Sequence, residues 1–311
     1  MFERLVKKEF IGIIMKKIFP GYYKYTKDEV KKIWNNCFFV FDTSVLLSMY
    51  SCTKESNRSF LDILEKIKDK IKIPYHVALE YHNNLFNVIK QTKIDPVSRQ
   101  VNNLDNSIDF INKNKNTLNI DPSDISNLKK ITEKIKSYLC EHKSFDCEEK
   151  NKLSEVLSES VLPEKTEEQL KKIEEEAKIR YDKKIPPGYK DNNKKNNNKY
   201  GDYIIWKNII ELAKAKRKNI VFITEDKKTD WFVEDSVPQP YLINEFIFNT
   251  KKKICIYTIK EFIQNYSEVF KDSNLSKLAK ELQEPINIIE DTEQYQNDYD
   301  EDNNNDEESV G

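Results

Sequence analysis

Asp42, Glu80, Asp202 and Asp226 are acids set where a fold can use them. Asp42 closes the apolar run Phe38-Phe39-Val40-Phe41, and Thr43, Ser44 and Val45-Leu46-Leu47 follow as a helix entry would. Asp226 follows Ile220-Val221-Phe222-Ile223-Thr224, with Glu225 beside it and Asp230 four residues on. Glu80 falls on the second turn of a helix that Pro74 opens, and Asp202 opens a helix after Tyr200-Gly201. A short continuous apolar run is a strand buried on both faces. Open α/β sheets bind ligands beyond the C-terminal ends of such strands. Asp42, Glu80 and Asp226 fit that edge directly. Asp202 leads into a helix that runs back towards a strand, so its approach depends on how the preceding loop folds. Each acid also has a plain reading alone: a helix cap for Asp42 or Asp202, a turn residue for Asp226.

Converging carboxylates repel and need a cation or shared protons. Oxygen-only ligands favour Mg²⁺ or Mn²⁺ over zinc, and such ions support in-line attack of water on a phosphodiester. No His, Cys or Ser nucleophile arrangement competes. His76, His82 and His142 form no ligand pattern with cysteine. Cys37, Cys52, Cys140, Cys147 and Cys255 are scattered, contain no CxxC pair and fit a reducing cytoplasm. With five glycines in 311 residues, the chain has no Gly-rich phosphate loop of either common pattern.

The elements that must position these acids are legible along the chain. Residues 2–20 read as an amphipathic helix ended by Pro20-Gly21. A short helix capped by Thr26 runs through Trp34, and the strand at Phe38 follows. Phe60, Ile63, Leu64 and Ile67 have helical spacing, Ile71 to Pro74 is a second short strand, and Val77, Tyr81, Leu85 and Val88 stripe the next helix. Residues 95–185 are polar and helical. Within them Ile125, Leu128, Ile131, Ile135 and Leu139 form one stripe, and Thr166 to Gln169 is a capping box. Asn192 to Lys199 reads as a mobile loop. Ile204, Ile205, Ile209 and Leu212 mark a further helix, then come the strand at Ile220, a helix from Leu242 to Phe248, a strand from Lys253 to Tyr257 and a helix from Ile259. Strand alternating with helix indicates an α/β fold on a parallel sheet. Trp206, Tyr203, Trp231 and Phe232 are expected in the core.

The expected organisation is an α/β domain split into residues 1–94 and 186–270, a helical insertion at 95–185, and a disordered acidic tail at 285–311. The net charge of −1 conceals that tail: residues 290–311 hold ten acids and no Lys or Arg, so the rest of the chain carries +9. A mildly basic body suits a polyanionic partner, and the tail could compete for the same surface. No membrane span or secretory signal is expected, since Lys7, Lys8, Lys16 and Lys17 bracket the apolar stretch Phe10 to Met15.

Together the stretches FFVFDTSVLL (38–47), IPYHVALEY (73–81), IPPGYKD (185–191), YGDYIIW (200–206) and IVFITEDKKTDWF (220–232) resemble the PIN-domain ribonucleases, in particular the PIN-like branch with a long helical insert. The resemblance runs from about Phe19 to Ile263. It implies a three-layer fold with a central parallel sheet flanked by helices, an acidic pocket for Mg²⁺ or Mn²⁺, and single-stranded RNA as substrate. By position, Asp42, Glu80, Asp202 and Asp226 match the family's acidic quartet, as metal ligands and catalytic groups. Ser44 fills a small polar slot after the first Asp. Asp230 is an extra acid that could replace or assist Asp226 at the metal. Asp191 belongs to the branch motif. Many relatives carry a basic residue just after the second acid. Here Asn83 and Asn84 occupy that turn, so Lys227 and Lys228 could steady the phosphate instead. A DNA- or flap-directed nuclease would share this chemistry, and a PIN-like module without activity would bind nucleic acid or protein only. A regulatory protein partner and an oligomeric state are open to such a chain.

Overall fold

The computed structural model of the chain describes residues 14–118, 120–141, 148–193, 199–234 and 236–271. Residues 2–13 of the helix expected over 2–20, most of the Asn/Lys run and the acidic tail lie outside these. In chain order the helices and strands are α1 (Lys27–Asn35), β1 (Cys37–Phe41), α2 (Thr43–Ser48), α3 (Lys54–Ile67), α4 (Tyr75–Ile89), α5 (Asp95–Lys113), α6 (Pro122–Glu141), α7 (Glu148–Leu157), α8 (Glu167–Asp182), α9 (Gly201–Lys216), β2 (Asn219–Ile223), β3 (Phe232–Glu234), β4 (Val237–Pro238), α10 (Pro240–Thr250), β5 (Ile254–Tyr257) and α11 (Ile259–Phe270). A single helical turn, Lys115–Leu118, lies between α5 and α6.

The described residues form two compact units, residues 14–81 with 153–271, and residues 82–152. The separate unit therefore ends well before residue 185, the limit expected from sequence. Residues 153–185 pack with the first unit: Val161 bridges Ile73 in parallel, and Ile173, Ala177 and Tyr181 of α8 are buried. In the second unit α5 packs on α6. Val101, Ile108 and Ile125 are buried there, whereas Ile131 of the expected stripe is 55% exposed.

The first unit is built on a parallel sheet in the order β1-β2-β5. Phe39, Val40, Phe41, Ile220, Val221, Phe222 and Ile223 are fully buried, as their unbroken apolar runs require. Aromatic clusters cover both faces. On one, Phe39 and Phe41 meet Phe262 of α11, which stacks on Trp34 of α1 with centroids 5.7 Å apart. On the other, Phe222 meets Trp231, and Trp206 of α9 packs against Trp231 and against Phe246 of α10. This is the expected three-layer α/β architecture with helices flanking a parallel sheet.

The expected strand Ile71 to Pro74 is reduced to isolated bridges. Ile71 pairs with Phe39, and Ile73 pairs with Val161. Pro74 has no N–H to extend the ladder, and the chain turns at once into α4. The short antiparallel pair β3–β4, with an irregular register, was not anticipated. The capping boxes at Thr26 and Thr166 form as expected, and Thr258 makes a third. In this glycine-poor chain α9, α10 and α11 end on Arg217, Lys251 and Lys271 in the left-handed conformation.

An acidic crevice at the edge of the sheet

Strand β1 bridges the Ile71 segment on one side and pairs with β2 on the other. Asp42 therefore emerges at the point where the chain's path over the sheet switches direction, which is where such sheets open a crevice. The Asp42 N–H still donates to Ile223 O, at 2.9 Å. Its carboxylate then takes three hydrogen bonds. Thr43 N donates to Oδ1 at 2.8 Å, while Ser44 Oγ at 2.9 Å and Thr224 Oγ1 at 2.7 Å donate to Oδ2. The plain reading, a helix cap, is thus literally present, since the Thr43 bond caps α2. The same bonds fix the carboxylate's direction. Burial, then the charge of Glu80, push Asp42 up to about 6. The Thr224 and Ser44 hydrogen bonds oppose this, and Asp226 adds to it.

Glu80 reaches the crevice from α4, where Thr43 Oγ1 donates to its Oε2 at 2.6 Å. Asp226 leaves the end of β2. Its N–H donates to Thr224 Oγ1 at 3.0 Å, and Lys228 N donates to its Oδ1 at 2.9 Å, closing a turn. Asp202 stands in the first turn of α9, and its Oδ2 is shut off from solvent without a hydrogen-bond partner. Burial raises Asp202 well above the usual carboxylate range, Asp226, Asp191 and Asp42 reinforce the rise, and Lys228 opposes it. The four quartet acids therefore share one field.

The other expected site residues divide. Ser44 serves the crevice: it donates to Asp42 and accepts from Glu225 N at 3.2 Å. Glu225 turns away, its Oε1 accepting from Ile259 N at 2.6 Å at the start of α11. Lys227 is exposed. Lys228 is not a solvated loop residue. Its ammonium stands 2.9 Å from Asp191 Oδ1 and 3.2 Å from Asp226 Oδ2. Burial alone would lower Lys228, but Asp226, Asp202 and Asp191 outweigh it and raise the ammonium above its usual range. Asp230 is fully buried and holds the loop before α9: Gly188 N donates to its Oδ2 at 2.8 Å, and Lys190 N lies 3.4 Å away. Thr43 and Thr224 were not singled out from sequence, although hydroxyl residues flanking strand-end acids were the available signal.

Gly188 is where this loop meets the site. Its φ is +89°, a region costly for other residues, and a Cβ there would run into the Tyr181 hydroxyl and stand 3.0 Å from Asp202 Cβ. We expect Gly188→Ala to cost about 2 kcal/mol of stability and to displace Asp202. Urea melts check the first effect, and an unchanged midpoint would contradict it.

Among the described residues, no three Asp, Glu, His or Cys side chains stand close enough together to hold a metal ion as placed. The donor set nonetheless fits one. It is all oxygen, as Mg²⁺ and Mn²⁺ prefer. Asp202 Oδ2 is a buried acceptor with nothing to accept from, and Asp42 is held by neutral donors against the repulsion of Glu80 and Asp226.

That repulsion has a consequence for stability. The folded value of Asp42 lies above its ordinary 3.8. The neutral acid is therefore favoured by folding, and its contribution is full below about pH 4 and is lost as pH rises through about 6. In metal-free protein, Asp42→Asn should gain stability relative to wild type between pH 4 and 7, on the order of 2 kcal/mol. Parallel pH profiles for the two proteins, by urea denaturation in EDTA, would contradict this.

A parallel three-layer α/β unit with an acidic crevice at its switch point defines the class. The family described as PIN like domain matches residues 38–246, and the chain belongs to it. No curated protein and no solved structure matches the chain. No described helix is long and apolar enough to cross a membrane.

Proposed function

We propose that the chain is a divalent-metal-dependent endoribonuclease that hydrolyses single-stranded RNA. Family membership supports nuclease chemistry at the level of the superfamily. The observation that carries the rest is the solvent-shielded, unpartnered oxygen of Asp202 in the field of Asp42 and Asp226. A pocket that gathers carboxylates and leaves a buried oxygen of one of them without a donor calls for a hard cation.

Asp42, Glu80, Asp202 and Asp226 would hold Mg²⁺ or Mn²⁺, which when bound lowers the pKa of water and stabilises charge on a phosphodiester. The chain's own residues set the geometry. Ser44, Thr43 and Thr224 fix the carboxylates of Asp42 and Glu80 by hydrogen bonds of 2.6–2.9 Å, so little reorganisation accompanies reaction. A carboxylate of the quartet that is left off the cation can take the proton of the attacking water. Lys227 is exposed beside the crevice and suits the substrate backbone.

The choice of strand is tested with internally labelled single-stranded RNA and the matched DNA, in Mg²⁺ or Mn²⁺. The proposal expects internal cuts in the RNA and slower or no cutting of the DNA. Preferential cutting of DNA would overturn the substrate assignment. Binding of RNA without cutting of either strand would favour a silent binding module.

A further inference from the structure

Lys228 serves the acids of the crevice with both its main chain and its side chain. Its N–H donates to Asp226 Oδ1 at 2.9 Å, and its ammonium lies 3.2 Å from the other oxygen of the same carboxylate. The ammonium also spans Asp191, at 2.9 Å from Oδ1 and 3.0 Å from Oδ2. Asp191 is itself buried, brought there by the loop that Asp230 anchors through Gly188. These contacts divide the acids. Asp191 and the outer oxygen of Asp226 already have a cation. The bonds that fix Asp42 come from neutral hydroxyl and amide donors, and Asp202 Oδ2 receives none.

An ammonium and a divalent ion make different demands. Ammonium-to-oxygen contacts of about 2.9 Å hold carboxylates apart, whereas Mg²⁺ draws its ligands to about 2.1 Å. Two cations of charge two, the usual pair in nucleases that use two metals, sit roughly 3.5–4 Å apart. An ammonium that touches Asp191 and Asp226 supplies one charge there, where a second metal would supply two.

We propose that Lys228 is a built-in substitute for a second metal ion, so that the acids of the quartet take a single divalent cation. This rests on the metal-centre reading above. Lys228 acts as a positioning residue: its ammonium spans Asp191 and the outer oxygen of Asp226 and occupies the place between them that a second ion would need. Asp191 is thereby a partner of the lysine, not a ligand.

The test counts bound Mn²⁺ by isothermal titration calorimetry of the full chain, with electron paramagnetic resonance of the loaded protein. Wild type should bind one Mn²⁺ with an isolated-ion spectrum. Lys228→Met should bind two, with the broadened signal of a coupled pair, and adding Asp191→Asn should return it to one. Lys228→Arg keeps the charge and should bind one, and circular dichroism verifies that each variant is folded. Two ions in wild type, or one in folded Lys228→Met, would overturn the inference and leave the metal centre standing. No Mn²⁺ in wild type would instead overturn the metal centre itself.

Discussion

Asp42→Asn should remain folded and lose cleavage of RNA by at least about a thousandfold. A single bound cation supplies several kcal/mol of transition-state stabilisation, and each 1.36 kcal/mol is a factor of about ten in rate. Asp42 is the acid most completely committed to the crevice, with three donors aiming its two oxygens. Asparagine keeps an acceptor for Thr43 N, and the hydroxyls of Ser44 and Thr224 can rotate to meet an amide. The charge is what disappears. The loss should therefore appear in kcat and in metal affinity together, while the circular dichroism spectrum is unchanged. A folded Asp42→Asn protein that cleaves as wild type does would remove Asp42 from the chemistry.

The largest loss of stability should come from Glu245, outside the crevice. Arg180 of α8 is pinned between α9 and α10: its Nη1 donates to Glu245 Oε1, and its Nη2 to Glu245 Oε2 at 3.0 Å and to Pro186 O. Trp206 Nε1 donates to the same Oε2 at 2.7 Å, and the guanidinium lies 4.7 Å from the Tyr203 ring centre. The two side chains are 12% and 16% exposed, so neither charge can fall back on water. Glu245→Ala leaves a nearly buried guanidinium and an indole N–H unpaired, which costs roughly 3–5 kcal/mol. In a unit of this size that is a fall in Tm of about 10 °C. Replacing both partners, Arg180→Met with Glu245→Met, should recover much of the loss, since the attraction of a buried pair largely offsets its own desolvation. A Glu245→Ala protein within 1–2 °C of wild type, roughly the effect of a surface change, would contradict this. Because Arg180 also holds Pro186, the start of the Gly188–Asp191 loop, the same variant should loosen Asp191 against Lys228.

The strands were legible in the sequence for a simple reason. Phe39 to Phe41, Ile220 to Ile223 and Ile254 to Ile256 are buried on both faces, and unbroken apolar runs such as theirs have few other uses. The helix starts at Thr26 and Thr166 were legible because a capping box is local. The Ile71 strand was over-read: apolar alternation was there, but one residue pairing on each side is all the chain between α3 and α4 provides. The pair β3–β4 was missed because Val233, Glu234 and Val237 are largely exposed and carry no burial pattern.

Within the crevice, what depends on strand ends could be anticipated, and what depends on distant contacts could not. Asp42 and Asp226 follow from where β1 and β2 stop. The hydrogen bond between Thr224 and Asp42 joins residues 182 apart in the chain. The different fates of Lys227 and Lys228 are likewise invisible in sequence, where the two are adjacent and alike. Only the fold shows that one faces solvent and the other lies between Asp191 and Asp226. Asp230, equivalent to Asp226 as a strand-end acid on paper, is withdrawn into the interior to hold Gly188.

The most direct test of a metal-dependent nuclease is a restoration experiment on the wild-type chain. Protein stripped with EDTA is incubated with end-labelled single-stranded RNA, and Mn²⁺ or Mg²⁺ is then titrated back. No cleavage in EDTA, and internal cleavage that rises with added metal and saturates, is the result expected of the crevice described above. Equal cleavage in EDTA and in metal, or none from folded protein at any metal concentration, would contradict it.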